Sequence, residues 1–446
     1  MQSQLIEGLP EQLERHFAKL ATIGNEADGS ISRIAYSDAE STAMAYIRAE
    51  GEAFGLTGRY DGVGNLLLST PGDHPRRVLV GSHIDSVPFG GNYDGAAGVV
   101  AALEATRQIL EGGKPLSAGV DIVVWRGEEY TFNAAYKGSA TAFGKSEPHI
   151  LRNLFEDCSL RDAILQQGFD PSYIDECRPT FEPEYVDSIL AYLELHIEQG
   201  ERLERGRTNL GAVTRIAGDR RFLVVVEGRF DHSGATPMGT KFRSDVNLAI
   251  AHIQTRLDEL GRKRREDGHE FAQTVGIVNA DPEIDKKYPR VHGNSVTKVS
   301  GLGYFTLDIM SPDDSFMDSY AAEVLRLIWQ TAKELGTKAI IEQTDSAPGI
   351  LNLDPGILEA WEKHAGQLGH SMMRMASGAG HDAVIVAESE RSDGSRIPTG
   401  MLFVPCRGGI SHSKEEFTST EQIAKGTEVL RDVMLELVAN PREDVA

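Results

Sequence analysis

Five separated segments of this 446-residue chain carry side chains able to bind a cation or move a proton. In the first, Gly81-Ser82-His83-Ile84-Asp85 follows the apolar run Val78-Leu79-Val80, and Asp94 sits in the turn Gly90-Gly91-Asn92-Tyr93-Asp94-Gly95. An imidazole and a carboxylate at the end of a strand, beside a turn that opens a helix, begin a transition-metal site. Asp85, two residues after His83, falls on the same side of an extended chain. There it can hold the imidazole, fixing its tautomer and raising its basicity as a ligand.

The second segment, Trp125-Arg126-Gly127-Glu128-Glu129, closes an apolar strand with adjacent carboxylates. Beside a metal they can divide labour, Glu129 as ligand and Glu128 as general base. In the third, Leu193-Glu194-Leu195-His196-Ile197-Glu198-Gln199-Gly200, a histidine stands among strand-forming apolar residues. The fourth, Gly408-Gly409-Ile410-Ser411-His412-Ser413, follows the strand-like Met401 to Val404 and offers a further imidazole. His83, Asp94, Glu129, His196 and His412 make a nitrogen and oxygen donor set without thiolate, suited to Zn²⁺, Mn²⁺ or Co²⁺. That is more than one tetrahedral ion needs, so two divalent ions are expected, about 3.5–4 Å apart with a water between them. Asp94 is the natural bridge, with His83 and His196 on one ion and Glu129 and His412 on the other. The fifth segment, Asp231-His232-Ser233-Gly234-Ala235-Thr236-Pro237-Met238, lies far from these ligands; His232 is expected to polarise a substrate carbonyl.

The elements that must position these groups are legible as α/β alternation. Helical patterns at Asp38 to Phe54 and Gly98 to Leu110 alternate with strands near Asn65 to Leu68, Val78 to Val80 and Val120 to Trp125. After about Arg215 the texture changes. Strands at Arg221 to Gly228, Tyr304 to Ile309 and Ala339 to Gln343 mix with helices at Ser244 to Glu259 and Ser319 to Leu335. The expected fold is an α/β catalytic domain, a mixed and mostly parallel sheet covered by helices, over residues 1–213 and 347–446. An α+β domain of residues 214–346 is inserted in it. The C-terminal helix is expected from about Thr420.

Composition narrows the function classes. A formal charge of −22 leaves no basic surplus for nucleic acid or an anionic membrane. No run approaches the roughly 18 apolar residues of a membrane span. Cys158, Cys177 and Cys406 are scattered and odd in number, which fits a reducing cytoplasm rather than a disulfide framework.

The segments GSHIDSVPFGGNYDGAAGV, the Glu128-Glu129 pair, HIEQG, DHSGATPM and FVPCRGGISHS together resemble, in order and spacing, the di-metal aminoacylase and carboxypeptidase-type hydrolases. The nearest branch holds N-carbamoyl-L-amino acid hydrolases, allantoate amidohydrolases and β-ureidopropionases. The resemblance covers the whole chain. It implies hydrolysis of a non-peptide C–N bond of a small molecule by a metal-bridged water with Glu128 as base, and a homodimer built through the inserted lid. It also implies that His232 is an oxyanion histidine able to act across subunits, that Gln199 and Asn294 contact substrate, and that Asp85 supports the metal ligands. His196 within HIEQG favours the ureido and amide branch over dipeptidases and N-acyl amino acid hydrolases, where a carboxylate is more usual.

Two departures bear on specificity. Relatives that bind an α-carboxylate usually close the lid strand with Leu-Asp-Ile-Arg, whereas this chain has Leu307-Asp308-Ile309-Met310. A Gly-Ser-Arg-Phe type segment after the paired glutamates is replaced by Tyr130-Thr131-Phe132-Asn133. Methionine cannot make arginine's bidentate contact. Either Lys287, Arg290 or Lys298 takes over, or the enzyme is an amidase or deaminase whose substrate lacks the carboxylate. Tyr130, Phe132 and Tyr136 are candidates for an aromatic-tolerant pocket or for core packing.

Overall fold

The computed structural model describes residues 8–439. The chain divides into two compact units. One runs to Arg215 and resumes over Asn352–Ser377 and from His381; the other comprises Ile216–Leu351 with Gly378–Gly380.

The first unit is built on eight strands: β1 (Thr57–Tyr60), β2 (Leu66–Ser69), β3 (Arg77–His83), β4 (Gly119–Trp125), β5 (Ile189–Ile197), β6 (Leu210–Ile216), β7 (Met372–Ser377) and β8 (Thr399–Val404). They form one sheet in the order β1-β2-β4-β3-β5-β8-β6-β7. The central β4-β3-β5-β8 are mutually parallel, while β1 with β2, β2 with β4 and β6 with β8 pair antiparallel. The edge strands β6 and β7 also advance together, Leu210 N donating to the Ser371 carbonyl and Thr214 Oγ1 to the Met375 carbonyl. All seven residues of β4 are buried, so apart from Asp121 this strand shows a near-continuous apolar run instead of alternation.

Its major helices are α1 (Leu9–Leu20), α2 (Asp38–Ala53), α3 (Ala96–Glu111), α4 (Pro355–Leu368) and α5 (Thr420–Ala439). Residues from all five share a core with Leu66, Leu68, Val78, Val80, Val120, Ile122 and Val124 on one face of the sheet. The intervening Leu67, Leu79 and Val123 are equally buried, so both faces are covered. α3 is almost wholly buried and rich in Ala, Gly and Val, small enough to lie close on the sheet. α2 starts at Ser37, whose hydroxyl accepts the Glu40 amide.

The second unit has a four-stranded antiparallel sheet in the order Ala272–Thr274, Leu302–Ser311, Gly218–Glu227, Lys338–Ala347. Phe222, Val224 and Val226 pack with the helices Val246–Glu266 and Asp314–Glu334, while Leu223, Val225 and Tyr304 form a small cluster on the opposite face. The second helix begins at Asp314, not Ser319, because Asp313 caps it by accepting the Phe316 amide. The first continues past Glu259 to Glu266 on a strongly charged last turn, where apolar periodicity fades but basic residues suit the helix end. No helix among the described residues is long and apolar enough to cross a membrane.

Candidate metal centre

The four parallel strands end at one edge of the sheet, and each ending supplies a functional group. β3 terminates on His83, which pairs with Trp125 at the end of β4, just before Glu128 and Glu129. His196 lies near the end of β5 opposite Phe403 of β8, and β8 leads into the turn that carries Ser411 and His412. Asp94 comes from the turn that opens α3. Carboxyl ends of adjacent parallel strands are where open α/β sheets place their ligands.

Asp94 is the hub. Its Oδ1 faces His83 Nε2 at 3.5 Å and His196 Nε2 at 3.2 Å. Its Oδ2 lies 3.3 Å from His412 Nε2, which stands 3.4 Å from Glu129 Oε1. Two atoms held about 2.1 Å from one tetrahedral ion sit about 3.4 Å apart, so these spacings suit the edges of coordination polyhedra better than hydrogen bonds. His83, Asp94 and His196 form one group able to hold an ion, and Asp94, Glu129 and His412 form a second. Glu129 Oε1 is buried and makes no hydrogen bond, as a ligand oxygen awaiting a cation would.

The imidazoles are oriented from behind. His196 Nδ1 lies 2.9 Å from the Ile197 carbonyl and His83 Nδ1 lies 3.2 Å from the Asp85 carbonyl, so each donates there and keeps Nε2 as an acceptor on the cluster side, where that of His196 takes the Gly95 amide at 3.2 Å. The Asp85 carboxylate accepts the amides of Glu128 and Glu129, both at 3.1 Å, and stands 3.4 Å from His83 Nδ1. One buried carboxylate therefore ties the β3 ending to the β4 ending, although Asp85 lies beyond the last residue of β3.

The electrostatics ask for positive charge. Burial alone would lower the imidazoles, yet Glu128, Asp85 and Asp94 raise His83 well above its ordinary value. His412 is half exposed, yet Asp94 and Glu129 carry it up to about 9. Burial, with Asp94 nearby, pushes Glu129 up to about 7. Burial and the adjacent Glu129 hold Glu128, whose Oε2 is 3.8 Å from His83 Nε2, well above its ordinary value. Such a set of crowded carboxylates and basic imidazoles fits divalent cations.

Three participants were not visible in the sequence. Glu416 accepts the amides of Tyr93 and Asp94 at 2.8 and 3.0 Å, which fixes the turn carrying the hub. Ser411 Oγ lies 2.8 Å from Asp94 Oδ2 and 2.9 Å from Glu416 Oε2, so its single proton serves one of them at a time. Behind His196, the His381 ring packs edge-on with centroids 4.5 Å apart. Gln199 Nε2 donates to Asp94 Oδ2 at 2.5 Å and to Ser411, so it braces the hub carboxylate. Tyr136 and Phe132 are buried, packing roles rather than open pocket wall.

His232 and Asn294 belong to the second unit. His232 Nδ1 accepts the amides of Gly234 and Ala235, each at 3.1 Å, which leaves the proton of the neutral ring on Nε2. Asn294 donates to the Leu302 carbonyl at 3.0 Å, while its own side-chain oxygen is buried with no hydrogen bond.

Residues 79–436 match the model of Peptidase family M20/M25/M40. The chain belongs to this family. It is 34% identical over 423 residues to allantoate amidohydrolase from Bacillus subtilis (strain 168), covering 94% of this chain and 95% of that protein. It is 31% identical over 429 residues to N-carbamoyl-L-amino-acid amidohydrolase from Paenarthrobacter aurescens, covering 95% of this chain and 97% of that one. A crystal structure of an amidase of the hydantoinase/carbamoylase family from Burkholderia vietnamiensis superposes with TM-score 0.81 at 28% identity, covering 97% and 98% of the two chains. The chain is a metal-dependent amidohydrolase.

Proposed function

We propose that this amidohydrolase cleaves the C–N bond of a small ureido compound of the N-carbamoyl amino acid or allantoate type, with two divalent ions per subunit, Zn²⁺ or Mn²⁺ and Co²⁺ as a substitute. The observation that carries the reading is Asp94, whose two oxygens face separate histidine sets, His83 with His196 and His412 with Glu129. When bound, such an ion pair lowers the pKa of a shared water and polarises the substrate carbonyl. Glu128 is left outside the ligand set and takes the proton of the attacking water, then delivers it to the leaving nitrogen. His232 donates from Nε2 to the oxyanion, an interaction worth about 10²–10³ in rate at such sites. The second unit serves as lid and dimer contact, and the active species is a homodimer in which His232 reaches the partner's site. Free Cys158, Cys177 and Cys406 suit a cytoplasmic enzyme.

Carboxylate recognition turns on the second unit. Met310 pairs with Asp219 and Ala272 where relatives that bind a carboxylate place an arginine. Of the candidate substitutes, Lys287 is bonded to Glu342 at 2.7 Å. Arg290 and Lys298 both approach the Phe230 ring, at 5.8 and 5.7 Å, and form a small exposed cationic pair. A neutral or aromatic amide is the second reading, favoured by Met310.

A substrate panel on Mn²⁺- and Zn²⁺-loaded enzyme tests both. It spans N-carbamoyl amino acids, allantoate, N-acyl amino acids, dipeptides and neutral amides, scored by ammonia and amine release, with Glu128→Ala as control. Ureido turnover that vanishes in Glu128→Ala, with metal content retained, is expected. Metal loss in that variant refutes the division of labour between Glu128 and Glu129. Turnover confined to neutral amides refutes the ureido reading.

A further inference from the structure

The loop that carries Glu128 and Glu129 is closed around a lysine that no step so far has used. Lys137 is fully buried. Its ammonium donates to the carbonyls of Gly127 at 3.3 Å, Glu129 at 2.9 Å and Ala134 at 2.8 Å. An ammonium has three N–H donors, so loop backbone takes them all. Main-chain bonds run alongside, from Lys137 N to the Gly127 carbonyl at 3.0 Å and from Tyr136 N to the Glu128 carbonyl at 2.9 Å.

The enclosed loop is not a relaxed one. Gly127, Phe132, Asn133 and Tyr136 have φ of 66°, 55°, 48° and 54°. Non-glycine residues in that region are strained and persist where surroundings over-determine them. A buried ammonium is itself costly unless bonded and balanced. Here the balance is supplied through space by Asp85, Glu40, Glu128 and Glu129. An apolar side chain of equal length would fill the volume without that cost, so the charge and its three donors are what the position provides. The sequence agrees: residues 130–133 (Tyr130-Thr131-Phe132-Asn133) bring no cation to this loop, and Lys137 does.

We propose that Lys137 is a positioning residue for hydrolysis: its buried ammonium, bonded to three carbonyls of the 127–134 loop, holds Glu128 at the reacting centre and Glu129 at the metal. The inference rests on the roles given to Glu128 and Glu129 above. All three donors of Lys137 go to backbone carbonyls, so it acts through the backbone that presents both carboxylates.

The test uses the full chain with Lys137→Met, which keeps most of the volume without the charge or its donors, and Lys137→Gln, which restores neutral donors. Metal-stripped protein is titrated with Mn²⁺ by electron paramagnetic resonance, amide exchange is followed over residues 126–137, and kcat and KM are measured on the best substrate of the panel. For Lys137→Met, Mn²⁺ affinity is expected to fall about 10–100-fold. Loop amides exchange faster, and kcat falls about 10²-fold with KM within about threefold of wild type. Lys137→Gln falls between. A Lys137→Met protein with wild-type Mn²⁺ affinity, loop exchange and kcat overturns the proposal. If that variant is insoluble, Lys137→Gln decides by the same readouts, wild-type behaviour overturning the proposal and weakened Mn²⁺ binding with faster loop exchange supporting it. Wild-type silence on ureido substrates defeats the functional reading alone, because Mn²⁺ affinity and loop exchange still report on Lys137.

Discussion

Replacing Gly95 by alanine should dismantle the metal centre through one methyl group. Gly95 has φ 61° and ψ −48°. Its neighbours close a turn in which the Ala96 amide donates to the Asp94 carbonyl, the rarer hand of γ-turn and a strained one. A Cβ built there would stand 2.4 Å from both Cε1 and Nε2 of His83. Ordinary contact begins near 3.4 Å, so the ring must retreat by about 1 Å. It has nowhere to go, because His83 is 1% exposed and held at Nδ1 by Asp85. Backbone strain of about 1–3 kcal/mol adds to overpacking of about 1–3 kcal/mol. At the metal, a displacement of that size costs on the order of 10²-fold in rate. The assay is a calorimetric Mn²⁺ titration beside thermal unfolding of the stripped protein, with Gly113→Ala as control. Gly113 also has positive φ, 64°, but its Cβ would meet nothing within 4 Å. It should lose stability of about 1 kcal/mol and no metal affinity. Gly95→Ala binding Mn²⁺ as tightly as Gly113→Ala would refute the steric argument.

Two further outcomes follow from the charges. Exhaustive chelation should abolish turnover and lower the unfolding temperature, since ions at a thousandfold excess over Kd contribute about 4 kcal/mol to the native state. Restoring Mn²⁺ should recover both, and an unfolding temperature indifferent to chelation counts against a metal held by five side chains. In the second unit, burial pushes Asp219 up to about 7, opposed by Arg221 and reinforced by Asp345 and Asp308. The native state then keeps a proton that the unfolded chain releases above about pH 4, so stability drops as pH rises from about 4 to 7. The loss is at most about 4 kcal/mol. Asp219→Asn should flatten that slope between about pH 4 and 7 in thermal melts, and an unchanged slope assigns it to other groups.

Much of the candidate metal centre was legible because each proposed ligand interrupts a pattern. His196 breaks an apolar strand, His83 ends one, and Asp94 and His412 stand in glycine-rich turns. The paired glutamates were legible for the same reason, at the end of a strand with no polar residue but Asp121. The supporting groups carried no such mark. Glu416 and Ser411 read as a solvated loop, yet Glu416 is 5% exposed and bonded to the Asp94 turn. Lys137 reads as a surface lysine before a helix, and becomes a buried cation only when the loop folds over it.

The sequence by itself determined the chemistry: which donors are present, that they lack thiolate, and that they follow strand-like runs, because periodicity and donor type are local properties. It also determined the alternation of helix and strand that makes an α/β unit. Only the tertiary structure decided that His83 and His412 meet at Asp94, since sheet order places β3, β5 and β8 side by side although the two histidines are far apart in the chain. It alone decided which carboxylates are buried and how far their proton affinities move. Those quantities depend on the neighbours that packing assembles, and no local pattern of residues encodes them.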